Sequence, residues 1–479
     1  MTKPPTRRES LLAGLFGTGY IGLRALATGL PPWFLLNPRR ATAQDLTCMI
    51  NAQNNKQYLI ISTSSNGDPV NCNCPGTYEN TSIIHPAVDE MSPQKVMVGG
   101  QSLGAALPWA DPSVATSGGS KGQLSSAVLA RTTFFHYMTG TVVHGDQPKV
   151  MKMMGATAGG EMMVSAFAKH LSACFGTVQS APIAVGAGGN AGELVSFSGR
   201  TLPSITPSQL KTLLTGSKTD PLVGLQAQRD MDLDNLNTLI KNEYASGSVQ
   251  AQFLDALSNS QGQVRSLASQ LATTLGNITG NTVTDQLWAA GALIAAKVTP
   301  VVTVHIPMGG DNHSDNNLQA ESDQHVSGVA AINKLTMNDT TNGVLASLGL
   351  LDQVTFAFWN VFGRNLAGIS KLTASSQTGR DHWGNHNVTV LIGKNFKSAV
   401  VGGAVADSSN DGGFAASDID SASGNAKTGG DIPAAQTMVA AARTLGAGLG
   451  IPDSVQTADW IASAGGKTVN AALTAVPAS

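Results

Sequence analysis

An α/β fold, with a central sheet covered by helices on both faces, is what this 479-residue chain predicts, on three observations. Short β-branched runs are separated by helical stretches instead of following one another as hairpins. Those runs are apolar on both sides, the pattern of strands buried above and below. Several end in a polar, glycine-bearing loop, and in open α/β sheets the crevice beyond the carboxyl ends of the strands is where ligands sit.

Residues 1–43 stand apart from the fold as an export signal. Thr6-Arg7-Arg8-Glu9-Ser10-Leu11-Leu12 resembles a twin-arginine translocation signal, with Ser10 where a Phe is usual, and a Gly-rich, moderately apolar stretch follows from Leu11 to Leu36. Arg24 and Pro31-Pro32 argue against a permanent span, because a charge is costly at the bilayer centre and prolines break a spanning helix. Arg39-Arg40 before Ala41-Thr42-Ala43 fits a basic region and a small-residue cleavage site, so removal after Ala43 is expected, an uncleaved N-terminal anchor being the alternative. The mature chain is therefore expected in the periplasm or secreted, carried there by the twin-arginine translocase, with no stable membrane span.

Loss of Lys3, Arg7, Arg8, Arg24, Arg39, Arg40 and Glu9 leaves 23 basic against 30 acidic residues, a net charge of −7. A surface of that sign disfavours nucleic acid and anionic membrane as partners. Cys48, Cys72, Cys74 and Cys174 read as disulfide partners in an oxidising compartment. Cys72 and Cys74 are too close to bond each other without strain, so each is expected to reach elsewhere; a Cys-x-Cys metal site is the alternative.

The N-terminal part of the α/β domain spans 44–205, and its first strand is Lys56 to Ser62, running into the loop NGDPVN at 66–71. Residues 206–297 are polar and helical in pattern (PSQLKTLLTG, QRDMDLDNLNTLIKNEY) and read as a helical insertion or cap, with Arg229, Asp230, Asp232 and Asp234 on a solvated face. The C-terminal part, 298–479, holds strands at Val298 to Ile306, Val354 to Val361 and Val388 to Ile392. Of these the first two run into GGDNHSDNN (309–317) and FGRN (362–365). The stretch 407–431 carries five Asp without EF-hand spacing and reads as a surface loop, a calcium site being the alternative. AAQTMVAAARTLGAGLG then supplies a terminal helix.

GRDHWGNHN, residues 379–387, concentrates Asp381, His382 and His386 in a chain with nine His. With Asp311 and His313 of the earlier loop they form a mixed imidazole and carboxylate set that suits zinc, manganese or iron, at one or two sites. Asx turns alone explain the composition of the 309–317 loop, so a purely structural role for Asp311 and His313 is the competing reading. His85 and His170 read as surface or hydrogen-bonded core residues, and His325 as a residue supporting the site from behind.

GGDNH (309–313), QVTFAFWNVFGRN (353–365), TGRDHWGNH (378–386) and DIPAAQTMVAAARTLGAGLGIPDS (431–454) occur in an order that resembles a family of twin-arginine-exported, sulfatase-like bacterial proteins of unknown function near the alkaline phosphatase superfamily. The resemblance covers most of the mature chain and is sharp from about 300 to 454. It implies an alkaline-phosphatase-like sandwich with a mainly parallel central sheet and up to two divalent metals at the strand ends. Carried over residue by residue, Asp68 would be the first metal ligand, Asp311 and His313 the middle pair, Asp381-His382 the dipeptide, and His386 the last His by position. Where relatives commonly show Glu-Phe-Gly-Arg-Thr, this chain has Val361-Phe362-Gly363-Arg364-Asn365, so a ligand or base is missing.

The function so implied is a periplasmic metal-dependent hydrolase of phosphate or sulfate esters, small-molecule or glycan. Thr139 and Thr141, with His144 nearby, are the candidate nucleophiles, turn or capping threonines being the alternative. Arg364 and Arg380 are candidate anion clamps, each with a structural carboxylate partner as its alternative. No Cys or Ser stands in the C/S-x-P-x-R arrangement of a formylglycine sulfatase, which tilts the expectation toward phosphate. The rival expectation is a non-catalytic envelope protein that binds a ligand or acts as a scaffold on the same fold.

Overall fold

The computed structural model describes residues 55–474 with interruptions, the longest being 187–194, 216–224, most of 246–270 and 367–378; the export signal and Cys48 lie outside the described residues. Eight strands form the central sheet: β1 (Tyr58–Ser64), β2 (Thr132–Tyr137), β3 (Ile183–Val185), β4 (Ser204–Ile205), β5 (Val301–Val304), β6 (Val354–Asn360), β7 (Asn387–Ile392) and β8 (Ala399–Val401). Their order across the sheet is β8-β2-β7-β6-β1-β5-β3-β4. β7 alone runs against the rest, pairing antiparallel with β6 and β2, while the other pairings are parallel. Because β7 is reversed, its first residue, Asn387, lies opposite Tyr137 at the end of β2. The segment preceding β7 therefore meets the segments that follow the parallel strands at one rim.

Both faces of the sheet are covered, as the two-sided apolar runs predict. Four long helices are central to this: α1 (Met163–Phe175), α2 (Val283–Ala295), α3 (Gln319–Thr336) and α4 (Thr437–Gly448). Tyr58, Ile60, Phe356 and Phe358 pack on one side with Leu287 and Leu293 of α2 and Val329 and Ile332 of α3. The alternate residues Leu59, Ile61, Ala357 and Trp359 pack on the other with Val164 and Phe167 of α1 and Leu445 of α4. Alternation on a period of two thus feeds two separate cores, and every residue of β1 and β6 is buried. The fold is the α/β sandwich with a mainly parallel sheet that was expected.

Within the stretch 206–297, the last helix is a core element: α2 opens with a capping box in which Thr282 Oγ1 accepts from Asp285 N and the Asp285 carboxylate accepts from Thr282 N. The helix Gln226–Asn242, by contrast, leaves Met231, Leu236 and Leu239 exposed. In the Asp-rich stretch, Asp418 accepts from Gly429 N and Ala434 N, while Asp420 and Asp431 pair with Lys427 and Lys467, so these carboxylates are used in bracing their own loops. No helix among the described residues is long and apolar enough to cross a membrane.

The cysteine expectation needs correction. Cys174 is disulfide-bonded, but Cys72 and Cys74 are free, buried thiols. Each occupies its own pocket, Cys72 with Ile83, Leu366 and Phe414, and Cys74 beside Thr77. Burial raises both thiol pKa values, Cys74 to about 12, which keeps them protonated and unreactive.

Buried histidines make the fold acid-sensitive. Burial holds His325, against Trp109, down to about 3 and His136, against His386, down to about 4. Between the unfolded value near 6.5 and these values the folded state binds fewer protons than the unfolded chain. Stability should therefore fall with pH across that window, by about 1.4 kcal/mol per pH unit for each such His. Denaturant titrations at pH 7, 6 and 5 are expected to show this slope, and His325→Gln to flatten it by about one such increment; an unchanged slope in that variant would contradict the account.

Candidate metal centre

The rim at the carboxyl ends of the strands assembles the site from five chain segments, those after β1, β2, β5 and β6 and the one before β7. After β1 the chain turns through Asn66, Gly67 and Asp68. Gly67 has φ +70, and a Cβ there would overlap the Phe362 ring at 1.9 Å, so only glycine lets this turn lie against the residues following β6. Asp68 is fully buried and uses Oδ1 to accept from Met308 N (3.1 Å) and Gly310 N (2.9 Å), tying the β1 loop to the β5 loop. The segment before β7 docks on the β5 loop through Gly379 N to His313 O (2.9 Å) and Arg380 N to Asn312 O (3.2 Å). Gly379 is needed for that approach, since a Cβ would lie 1.6 Å from Asn312 O.

These connections bring Asp311, His313 and His382 together, and His144, from the segment after β2 and held against Ser65 O, joins them, with one ligand atom from each and all of those atoms within 4.8 Å of one another. Asp311 Oδ2 lies 3.4 Å from His144 Nε2, and Asp311 Oδ1 lies 3.4 Å from His313 Nε2 and 3.6 Å from His382 Nε2. The His313 and His382 Nε2 atoms are 2.6 Å apart. The Phe362 ring backs two of the imidazoles, with centroids 4.4 Å from His382 and 5.1 Å from His144.

Backbone carbonyls decide which nitrogens face the centre. His144 Nδ1 lies 2.6 Å from Ser65 O and His382 Nδ1 lies 2.7 Å from Val142 O. A carbonyl only accepts, so both Nδ1 atoms carry the hydrogen, and in the neutral ring Nε2 is left with a lone pair. The proton between His313 and His382 then belongs to His313 Nε2. With both rings neutral, His144 Nε2 and His382 Nε2 present lone pairs toward the Asp311 carboxylate with no hydrogen between them. Such a set favours a cation, and orientation of ligand imidazoles by carbonyls is the usual support for one.

The set could hold a metal ion. Bonds of about 2.0–2.1 Å in a tetrahedron place ligand atoms about 3.3 Å apart, close to the distances from Asp311 Oδ1 to His313 Nε2 and His382 Nε2. The His313 and His382 pair is tighter than that, and an ion replacing the shared proton would spread it. Asp311 is also held by Arg364 Nη2 at 2.8 Å. Burial raises its pKa, but the hydrogen bond and charge of Arg364 lead the effects that outweigh this and hold the carboxyl below its usual value. Burial, then the charge of Arg364, lowers His382, which keeps that ring neutral.

The residues expected from sequence fall into three groups. Asp311, His313 and His382 lie in the cluster itself. Asp381 lies beside it, its Oδ1 3.6 Å from His313 Nδ1 and accepting from His382 N at 2.8 Å. The others lie outside the described cluster. His386 is fully buried behind it, Nε2 3.0 Å from His136 Nδ1 and Nδ1 3.3 Å from Asn71 Nδ2. Asp68 joins the two loops through Oδ1, while its Oδ2 is buried with no protein partner. Thr141 Oγ1 donates to Asp146 at 2.6 Å, and the Thr139 hydroxyl makes long bonds to Thr141 O and Gly384 O.

Both arginines are buried with zero exposure and engaged by protein groups, the structural alternative to anion clamping. Arg364 donates to Asn66 O, Gly67 O, Gly310 O, Arg380 O and Asp311. Arg380 makes a two-point pair with Glu321, 2.7 and 3.1 Å. His144 was visible in the sequence only as a neighbour of Thr141, and no spacing linked it to residues about 170 or more positions away. No family model matches the chain, and no curated protein matches it either.

His144→Ala is expected to weaken divalent metal binding at least 10- to 100-fold, the scale for losing a ligand or its support, whereas His386→Asn should leave the stoichiometry unchanged. Competition titrations against a chromophoric chelator measure both. Equal losses in the two variants would place the ion elsewhere.

Proposed function

We propose that the chain is a periplasmic metal-dependent hydrolase of phosphate or sulfate esters, with phosphate the favoured class. The observation that carries this reading is the convergence of imidazole nitrogens and a carboxylate oxygen from His144, Asp311, His313 and His382 at the strand-end rim. Zinc suits three nitrogens and one carboxylate best, with manganese and iron next. A divalent ion there polarises an ester oxygen and makes water a stronger nucleophile. We favour a single ion at this cluster, since Asp68 and His386 are not among its donors. The resemblance to exported sulfatase-like proteins points the same way.

The chain's own groups have definable parts in this reading. His144, His313 and His382 hold the ion, and Asp311 completes the set or accepts a proton from water while Arg364 keeps it ionised. Because Thr141 is committed to Asp146, water is favoured over a threonine as nucleophile. A second reading, a non-catalytic metal-binding protein of the envelope, draws on two features: four protein donors fill a tetrahedral set, as in structural sites, and Arg364 makes five bonds within the protein.

Metal analysis of the purified chain, followed by assay on aryl phosphate and aryl sulfate, separates the two. The hydrolase reading expects about one ion per chain and turnover that falls by roughly 10²-fold or more in His382→Ala, the scale of losing a main electrostatic contribution. A tightly bound ion with no turnover on either ester would favour the binding protein.

A further inference from the structure

Three of the four donors come from two loops, 309–313 and 379–382, and both loops close on one carboxylate in α3. Glu321 is fully buried and accepts four hydrogen bonds. Its Oε2 takes Arg380 Nε at 2.7 Å and Asn312 Nδ2 at 2.7 Å, and its Oε1 takes Asn73 Nδ2 at 2.7 Å and Arg380 Nη2 at 3.1 Å. Arg380 is fully buried and Asn312 nearly so. Asn312 stands between Asp311 and His313, and Arg380 directly precedes Asp381-His382. Any displacement of the carboxylate therefore reaches the donors through one or two residues.

We infer that Glu321 is a positioning residue for the metal centre, setting the separation of the two loops so that His313 and His382 converge on one ion; this rests on the reading that the cluster binds metal. The chemistry matches the task. A planar guanidinium held at two points by a carboxylate fixes direction as well as distance, which a packed apolar contact does not. A buried pair of this kind adds little net stability over apolar packing, so its main effect falls on geometry. Asn73 binds the same carboxylate from the short helix Val70–Asn73, which carries no donor of the cluster. It supplies an internal control.

The test compares Glu321→Gln, Asn312→Ala and Asn73→Ala with the parent full chain, measuring zinc affinity by chelator competition, the visible spectrum of the cobalt-loaded form, and Tm. Glu321→Gln and Asn312→Ala are expected to weaken zinc binding 10- to 100-fold and to change the cobalt spectrum, and Asn73→Ala to lower Tm while leaving affinity within about threefold. Should Glu321→Gln fail to fold because Arg380 is left unpaired, Asn312→Ala against Asn73→Ala decides alone. Unchanged affinity and spectrum in Asn312→Ala, or equal losses in the two asparagine variants, would overturn the inference. A parent chain that binds no metal would instead remove the reading on which it stands.

Discussion

A guanidinium with no access to water is tolerable only where its donors find acceptors, and Arg364 meets that demand by drawing in three loops at once. Its acceptors are the carbonyls of Asn66 and Gly67 after β1, that of Gly310 and the Asp311 carboxylate after β5, and the carbonyl of Arg380 before β7. One side chain following β6 thereby fixes how the rim of the sheet closes. The reversed direction of β7 is what allows the last of these segments to arrive at that rim.

The electrostatics of the cluster follow from the same contact. Arg364 compensates the charge of Asp311 without covering Oδ2, which faces His144. An ion entering the cluster meets imidazoles aimed by the carbonyls of Ser65 and Val142, a compensated carboxylate, and Asp381 at the edge, 58 % exposed. Strands deliver these loops, and two buried arginines hold them through hydrogen bonds to protein acceptors.

Much of the fold is legible in the sequence because its signal is local. The β-branched runs near 58, 301, 354 and 387 are the four adjacent strands at the centre of the sheet, where burial on both faces leaves an uninterrupted apolar pattern. TTFFHY at 132–137 has weaker punctuation and emerges as β2 only through pairing with β7 and β8. At the site, Asp311, His313 and His382 could be anticipated because donors crowd in short, turn-forming loops. His386 has the same spacing signal as His382, yet His382 lies in the cluster while His386 is fully buried against His136. His144, Asn312 and Glu321 have no local signature, since their roles come from long-range closure, and a free pair such as Cys72 and Cys74 is indistinguishable by spacing from disulfide partners.

X-ray absorption spectroscopy of the zinc-loaded protein tests the central claim most directly. The account predicts one zinc per chain with a first shell of nitrogen and oxygen at about 2.0–2.1 Å and the outer scattering of several imidazoles. A sulfur shell near 2.3 Å, pointing to Cys72 and Cys74, or a protein that retains no zinc, would contradict it.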